Sequence, residues 1–302
     1  MENKTFYHTT VLLKEAVDGL NIRPDGVYVD ATFGGGGHSR EILSRLGPEG
    51  KLFAFDHDKD AWRNKPDDSR LVPVTENFRY IRRFLRLHGH PQVDGILADL
   101  GVSSYQFDTP DRGFSIRFDG PLDMRMDDRM DRTAADVLKT YSEQELHRIF
   151  EQYGEVRNSR ELAKYIVVNR NKVKLTDTDS LKALIAPVMK GNPNRYLAQL
   201  FQALRIEVNE ELDVLKEFLE ESAKCLNDEG RLSVITFHSL EDRLVKQFMK
   251  AGVWKIEQNE FGQQITQPLL KPVNNKPIEP TEEETKNNPR SRSAKLRVAE
   301  KI

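Results

Sequence analysis

From Val27 to Ser39 the chain reads Val-Tyr-Val-Asp-Ala-Thr-Phe-Gly-Gly-Gly-Gly-His-Ser. A short apolar run ends at an acid, passes into consecutive glycines, and emerges into a helical pattern with Ile42, Leu43 and Leu46 that stops at Gly47-Pro48. The pattern predicts strand, tight turn, helix. Glycines at such a junction admit positive φ and let the backbone come close to a ligand, and the helix start offers unpaired N–H groups. A chain organised around this turn is expected to form an α/β sheet with a nucleotide-like ligand at its strand ends.

The ligand class follows from what the turn lacks. A dinucleotide fingerprint would need a third glycine where Ser39 stands, and no glycine is followed at the right distance by Lys-Ser or Lys-Thr as in a Walker A loop. An acid closing the first strand and then a glycine cluster, Asp30 to Gly37, resembles the first motif of class I S-adenosylmethionine-dependent methyltransferases. Lys51-Leu52-Phe53-Ala54-Phe55-Asp56 reads as the second strand, its closing acid placed to accept ribose hydroxyls. Nicotinamide enzymes share that acid, so Asp56 alone does not choose between them.

Leu71-Val72-Pro73-Val74 reads as a third strand, peripheral because of its proline. Val93 to Asp99 is a buried fourth strand running into a glycine and serine loop, so Asp30, Asp56 and Asp99 are expected to converge on one crevice. Phe78 follows the third strand, where an aromatic ring either stacks near an adenine or fills the core. Arg79, Arg82, Arg83 and Arg86 make a stripe that either meets phosphates or is a solvated helix face. Near the N-terminus, Thr9 or Thr10 is a candidate helix cap, and His8 either covers the ligand or faces solvent.

From Asp108 onward strands give way to short amphipathic helices. Ser142 with Glu145 forms a capping box ahead of Leu146, Ile149 and Phe150, and further helices are expected near Arg160–Asn169 and from Thr178. These divide the chain into a core at 1–107, an inserted all-helical domain at 108–195, and the rest of the core with a basic C-terminal arm at 196–302. Met124 and Met126 read as gap-filling core. Arg231 to Phe237 is a late strand closed by His238, which either faces the substrate or is structural. Ser239 and Asp242 read as the cap of the next helix. Residues 257–290 read as a long loop or a partly disordered excursion. Asn288 to Val298 is a basic arm leading into a last strand, suited to phosphate contact or to protecting a sheet edge.

The formal net charge of −2 does not argue against a nucleic-acid partner, because local asymmetry is hidden in the sum. The lone cysteine, Cys225, allows no disulfide within the chain and favours a reducing compartment. With no apolar leader and no run of membrane-spanning length, a cytoplasmic protein without membrane contact is expected.

Read together, the chain resembles the bacterial RsmH (MraW) methyltransferases. The resemblance rests on His8 to Leu13, Asp30 to Ser39, Asp94 to Ser104, Arg112 to Ser115, Gly120 to Asp127, Tyr153-Gly154-Glu155, Phe201 to Asn209, Phe237 to Lys246 and Asn288 to Arg297. It departs at Val156-Arg157 and in the segment before Asn288. It implies a Rossmann-like, doubly wound sheet with an inserted all-helical domain. It further implies methylation of the exocyclic N4 of a cytidine in the decoding region of 16S rRNA, within the small ribosomal subunit. The cofactor implied is S-adenosylmethionine, contacted by Gly36, Gly37, His38, Asp56, Phe78, Asp99 and Gln106, with no metal. The sequence does not fix the oligomeric state, a homodimer being one option.

Cytosine N4 is a poor nucleophile because its lone pair is conjugated with the ring, so an acceptor that holds an N4 proton helps it react. Asp99 is the catalytic candidate for that acceptor. Related amino-methyltransferases of DNA carry a Pro-Pro-aromatic motif after the acid, and Asp99-Leu100-Gly101-Val102 lacks it. Base positioning is then expected from Phe114 or from Asp123–Arg125, on a single-stranded or flipped-out base.

Overall fold

The computed structural model describes residues 10–256 and 266–302; His8 and the opening of the 257–290 segment lie outside them. Close packing groups the chain into two units, Met1–Gly101 with Asp213–Ile302, and Val102–Leu212.

The first unit is built on a seven-stranded sheet of β1 (Val27–Asp30), β2 (Lys51–Phe55), β3 (Leu71–Val74), β4 (Val93–Asp99), β5 (Leu226–Thr236), β6 (Leu270–Pro272) and β7 (Lys295–Lys301), in the order β3-β2-β1-β4-β5-β7-β6. β3, β2, β1, β4 and β5 run parallel, and β7 is antiparallel to both its neighbours. This is a Rossmann-like sheet, as the resemblance implies. Side chains alternate across it, as strand geometry requires. Val29, Phe53, Phe55, Ile96 and Ala98 pack beneath the helices Ile81–Leu87, Glu211–Cys225 and Ser239–Met249. Tyr28, Leu52, Ala54, Leu97 and Ile235 face the helices Leu13–Gly19 and Gly37–Arg45. Both faces are covered, which is why these strands are almost uniformly apolar. The chain leaves β1 toward β2 and β3, then crosses to β4 on the other side. The crevice at that switch point lies at the carboxyl ends of β1 and β4.

The second unit packs its own core, with Leu138, Leu146, Ile149, Phe150, Leu162, Ile166 and Leu181 fully buried. Ser142 caps the helix Glu143–Gln152 and Glu145 reciprocates, as the sequence predicts. The unit reaches beyond the expected 108–195 segment because the helix Pro193–Asn209 turns Tyr196, Leu200, Phe201 and Leu204 into this core.

Several local expectations are corrected. The helix Leu13–Gly19 begins after Leu12 with no side-chain cap, and the Glu284 carboxylate accepts the Leu12 N–H at 2.8 Å. The helix Ser239–Met249 is capped by His238 with Glu241, whereas Asp242 pairs with Arg297 at 2.7 Å. β7 is internal to the sheet, so it is not an edge strand. The 266–290 stretch holds β6 and the helix Glu282–Asn287. Among the described residues no helix is long and apolar enough to cross a membrane.

Candidate active site

The glycine turn is shaped by close contacts on two sides. Gly36 sits at φ 74°, and a Cβ on Gly37 would lie 1.8 Å from Thr10 Oγ1. Neither position accommodates a side chain. Gly35 differs: nothing lies within 4 Å of where its Cβ would be. The open side of the turn is there. Arg40 donates to the Gly35 carbonyl at 2.6 Å, and Trp62 stacks on Phe33 with centroids 4.7 Å apart, which fixes the turn from outside.

Asp30, the last residue of β1, is fully buried and has structural partners. Its carboxylate accepts the Ser39 hydroxyl at 2.6 Å and the Thr32 N–H at 3.1 Å, joining the strand end to the helix that follows. Burial nevertheless raises its pKa to about 6. Asp56, just past β2, accepts the Gly34 N–H at 2.9 Å and the Asp58 N–H at 2.8 Å. Burial outweighs these bonds and raises it to about 7. Each carboxylate oxygen of Asp56 still has acceptor capacity for a hydroxyl donor.

Asp99 closes β4, and its own N–H donates to Thr32 Oγ1 at 2.6 Å. Burial holds its carboxyl well above the usual range, and the negative charges of Asp30 and Glu241 add to the shift. Oδ1 of Asp99 is buried without a hydrogen-bond partner among the described residues. Oδ2 lies 3.8 Å from His38 Nδ1. Burial lowers His38 to about 4, so the ring is neutral at pH 7. Its Nε2 is 3.2 Å from the Val11 carbonyl and must donate there, which leaves Nδ1 as an acceptor. When Asp99 is ionised, its carboxylate and His38 Nδ1 both present acceptors at the strand end.

The three acids at the strand ends thus come together with the turn and with His38. Glu241 is a fourth acid that the sequence reading passed over. It is 3% exposed and accepts the Phe237 N–H at 2.8 Å and the His238 N–H at 3.3 Å. The visible signal was its place three residues after His238, where it completes a capping box. Phe78 is half-buried, edge-on to Phe218 at 4.9 Å, so part of the ring belongs to the core. Gln106 belongs to the second unit, where its side chain completes the capping box of the helix Ser104–Asp108.

Two base-positioning candidates are corrected. Phe114 is 5% exposed within the helical core, so its ring has no face free for a base. Asp123 and Arg125 pair with each other at 2.7 Å. Of the arginine stripe, Arg79 pairs with Glu217 at 2.6 Å and Arg82 with Glu221 at 3.5 Å, whereas Arg83 and Arg86 are exposed.

S-adenosylmethionine presents a ribose diol, a positively charged amine and a sulfonium. An open glycine turn, the half-buried carboxylate of Asp56 with acceptor capacity to spare, and the Asp99 carboxylate at the end of β4 suit that set. The family model described as the MraW methylase family matches residues 5–302. The chain is similar to the ribosomal RNA small subunit methyltransferase H of Flavobacterium psychrophilum, with 57% identity covering 96% of this chain and 100% of the relative. The protein of the same name from Flavobacterium johnsoniae is 55% identical, covering 98% of each. That of Parabacteroides distasonis is 53% identical, covering 100% of this chain and 99% of the relative.

Proposed function

The chain belongs to the MraW methylase family, and on that premise we propose that it methylates the exocyclic N4 of a cytidine in the decoding region of 16S rRNA within the small ribosomal subunit. The observation that carries the choice of an amine is the Asp99 carboxylate, whose buried Oδ1 has no hydrogen-bond partner among the described residues and whose Oδ2 lies 3.8 Å from the acceptor Nδ1 of His38. An exocyclic amine brings two N–H donors to such a mouth. Methylation at a pyrimidine carbon requires a thiolate that first adds to the ring, and this chain does not supply one. Its single cysteine, Cys225, is buried at a helix end with its thiol pushed up to about 12.

When bound, S-adenosylmethionine supplies an electrophilic methyl on sulfur. Gly36, Gly37, His38, Asp56 and Phe78 are the proposed cofactor contacts in the first unit, and Gln106 is carried by the family resemblance alone. Asp99 Oδ1 accepts one N–H of the target amine, which localises the nitrogen lone pair, and takes the proton that the nitrogen sheds as it gains the methyl. The raised pKa of Asp99 makes it a stronger base than a solvated carboxylate, which suits this transfer.

On the RNA side, exposed Arg160 and Lys164 on the helix Ser159–Asn169 and Arg157 just before it, all in the second unit, have no ion pair among the described residues. They support phosphate contact better than Arg297, which is committed to Asp242.

The test is transfer of labelled methyl to small subunits lacking the modification and to naked 16S rRNA, with the product nucleoside identified by mass spectrometry. N4-methylated cytidine is expected. A ribose- or carbon-methylated product refutes the proposal.

A further inference from the structure

An amine on a pyrimidine ring is flanked by a ring nitrogen, and the pair has a fixed polarity. In cytosine, N4 donates and N3 accepts; in uracil, O4 accepts and N3 donates. A site that selects the first must place an acceptor and a donor side by side, buried enough that the wrong base leaves both unpaired.

Asp99 Oδ1 is the acceptor already described, at the end of β4. β5 is its hydrogen-bonded neighbour, with Asp99 opposite Ile235 and the Leu100 N–H donating to the Ile235 carbonyl at 3.0 Å. Three residues beyond Ile235 stands His238, its side chain 11% exposed. Its Nδ1 accepts the Glu241 N–H at 3.4 Å as the cap of the following helix, which leaves the ring proton on Nε2. That Nε2 is buried and has no hydrogen-bond partner among the described residues. Glu241 Oε1 lies 3.2 Å away but not in line with the N–H. The other Glu241 oxygen grips the backbone N–H groups of Phe237 and His238, so the ring is held from both sides of the turn.

Two adjacent strand ends therefore carry one buried acceptor and one buried donor, neither with a hydrogen-bond partner among the described residues, the donor having only the out-of-line Glu241 Oε1 nearby. Such atoms cost free energy in the ligand-free protein and are few in native structures. Their place matters as well. The glycine turn and Asp56 occupy the β1 and β2 side of the switch point, whereas β5 lies on the far side of β4.

We propose that His238 is the specificity-determining residue of the methyl transfer: its Nε2–H donates to N3 of the target cytosine while Asp99 Oδ1 accepts from N4. The inference rests on the cytidine reading above. It assigns Glu241 a positioning role, that of fixing the tautomer and orientation of the His238 ring. Uracil presents the reverse polarity and leaves both protein groups unpaired.

The experiment is single-turnover methyl transfer to small subunits assembled with 16S rRNA carrying either cytidine or 3-deazacytidine at the target, with wild-type protein and with His238→Ser. Serine is a good helix cap and cannot reach the base, so the fold is kept while the donor is lost. Thermal midpoint and cofactor affinity serve as controls and should be unchanged. With wild type, removing N3 should slow transfer by about 10- to 100-fold. His238→Ser should slow transfer to natural cytidine by a similar factor and then be nearly indifferent to the deaza change. If the two changes multiply, or if His238→Ser transfers at the wild-type rate, His238 does not read N3. If wild type forms no N4-methylcytidine at all, the functional reading fails and this inference falls with it.

Discussion

Asp56 is proposed to accept the cofactor ribose, yet burial holds its pKa at about 7 in the ligand-free protein. A ribose diol donates hydrogen bonds and so selects the carboxylate over the carboxylic acid. Cofactor binding must then release a proton wherever the free protein holds one. With the bound value well below the assay range, the dissociation constant scales as one plus the ratio of protonated to ionised Asp56. Affinity should be about tenfold weaker at pH 6 than at pH 8, with roughly half a proton released per cofactor at pH 7. The same shift fixes a sign for stability. A raised carboxyl stabilises the fold below its unfolded value and loses that contribution as pH rises through about 7, so Asp56 makes the ligand-free protein less stable at pH 8 than at pH 6 by about 1.4 kcal/mol. The assay is calorimetry with S-adenosylhomocysteine from pH 6 to 8, in two buffers of different ionisation enthalpy. Asp56→Asn has no proton to release; it should bind more weakly by roughly 1–3 kcal/mol and lose most of the pH dependence. Wild-type affinity that is flat in pH, or an equal pH dependence in Asp56→Asn, refutes the reasoning.

Asp99→Asn should lower single-turnover methyl transfer by about 10²- to 10⁴-fold with a smaller effect on cofactor affinity; a near-normal rate removes Asp99 from the chemistry. Gly35→Val adds a side chain where nothing lies within 4 Å, so the thermal midpoint should hold while cofactor affinity falls at least about tenfold if a ligand packs there. Unchanged affinity would mean that the cofactor does not approach this part of the turn. Replacing Arg157, Arg160 and Lys164 together by glutamine should reduce the slope of log affinity against log salt for rRNA by about 2. An unaltered slope places the RNA elsewhere.

The fold was legible where a local rule had only one outcome. An apolar run ending at Asp30 and followed by glycines can hardly be other than a strand and a turn. Pro73 restricts β3 to an edge, and it lies at one. Ser142 and Glu145 announce a helix start by direct mutual hydrogen bonding. The failures share a cause of the opposite kind, a partner distant in sequence. Nothing local says which of two cores Leu200 and Leu204 will enter, so the end of the helical unit was misplaced. Phe114 looked available to a base until the core around it was assembled, and Arg297 looked free until Asp242 reached it from the helix Ser239–Met249.

The candidate site follows the same division. Asp30, Asp56 and Asp99 could be named because each ends a strand, and parallel strands bring their carboxyl ends to one edge. Their roles could not be read that way. Asp30 is bound to Ser39 and Thr32, Asp56 is partly occupied by Gly34 and Asp58, and of the three Asp99 alone keeps a buried oxygen without a hydrogen-bond partner among the described residues. Three acids alike in sequence context are thus separated by what their neighbours leave unsatisfied. That residual hydrogen-bonding capacity, rather than position at a strand end, distinguishes a candidate for chemistry from a residue that holds the turn together.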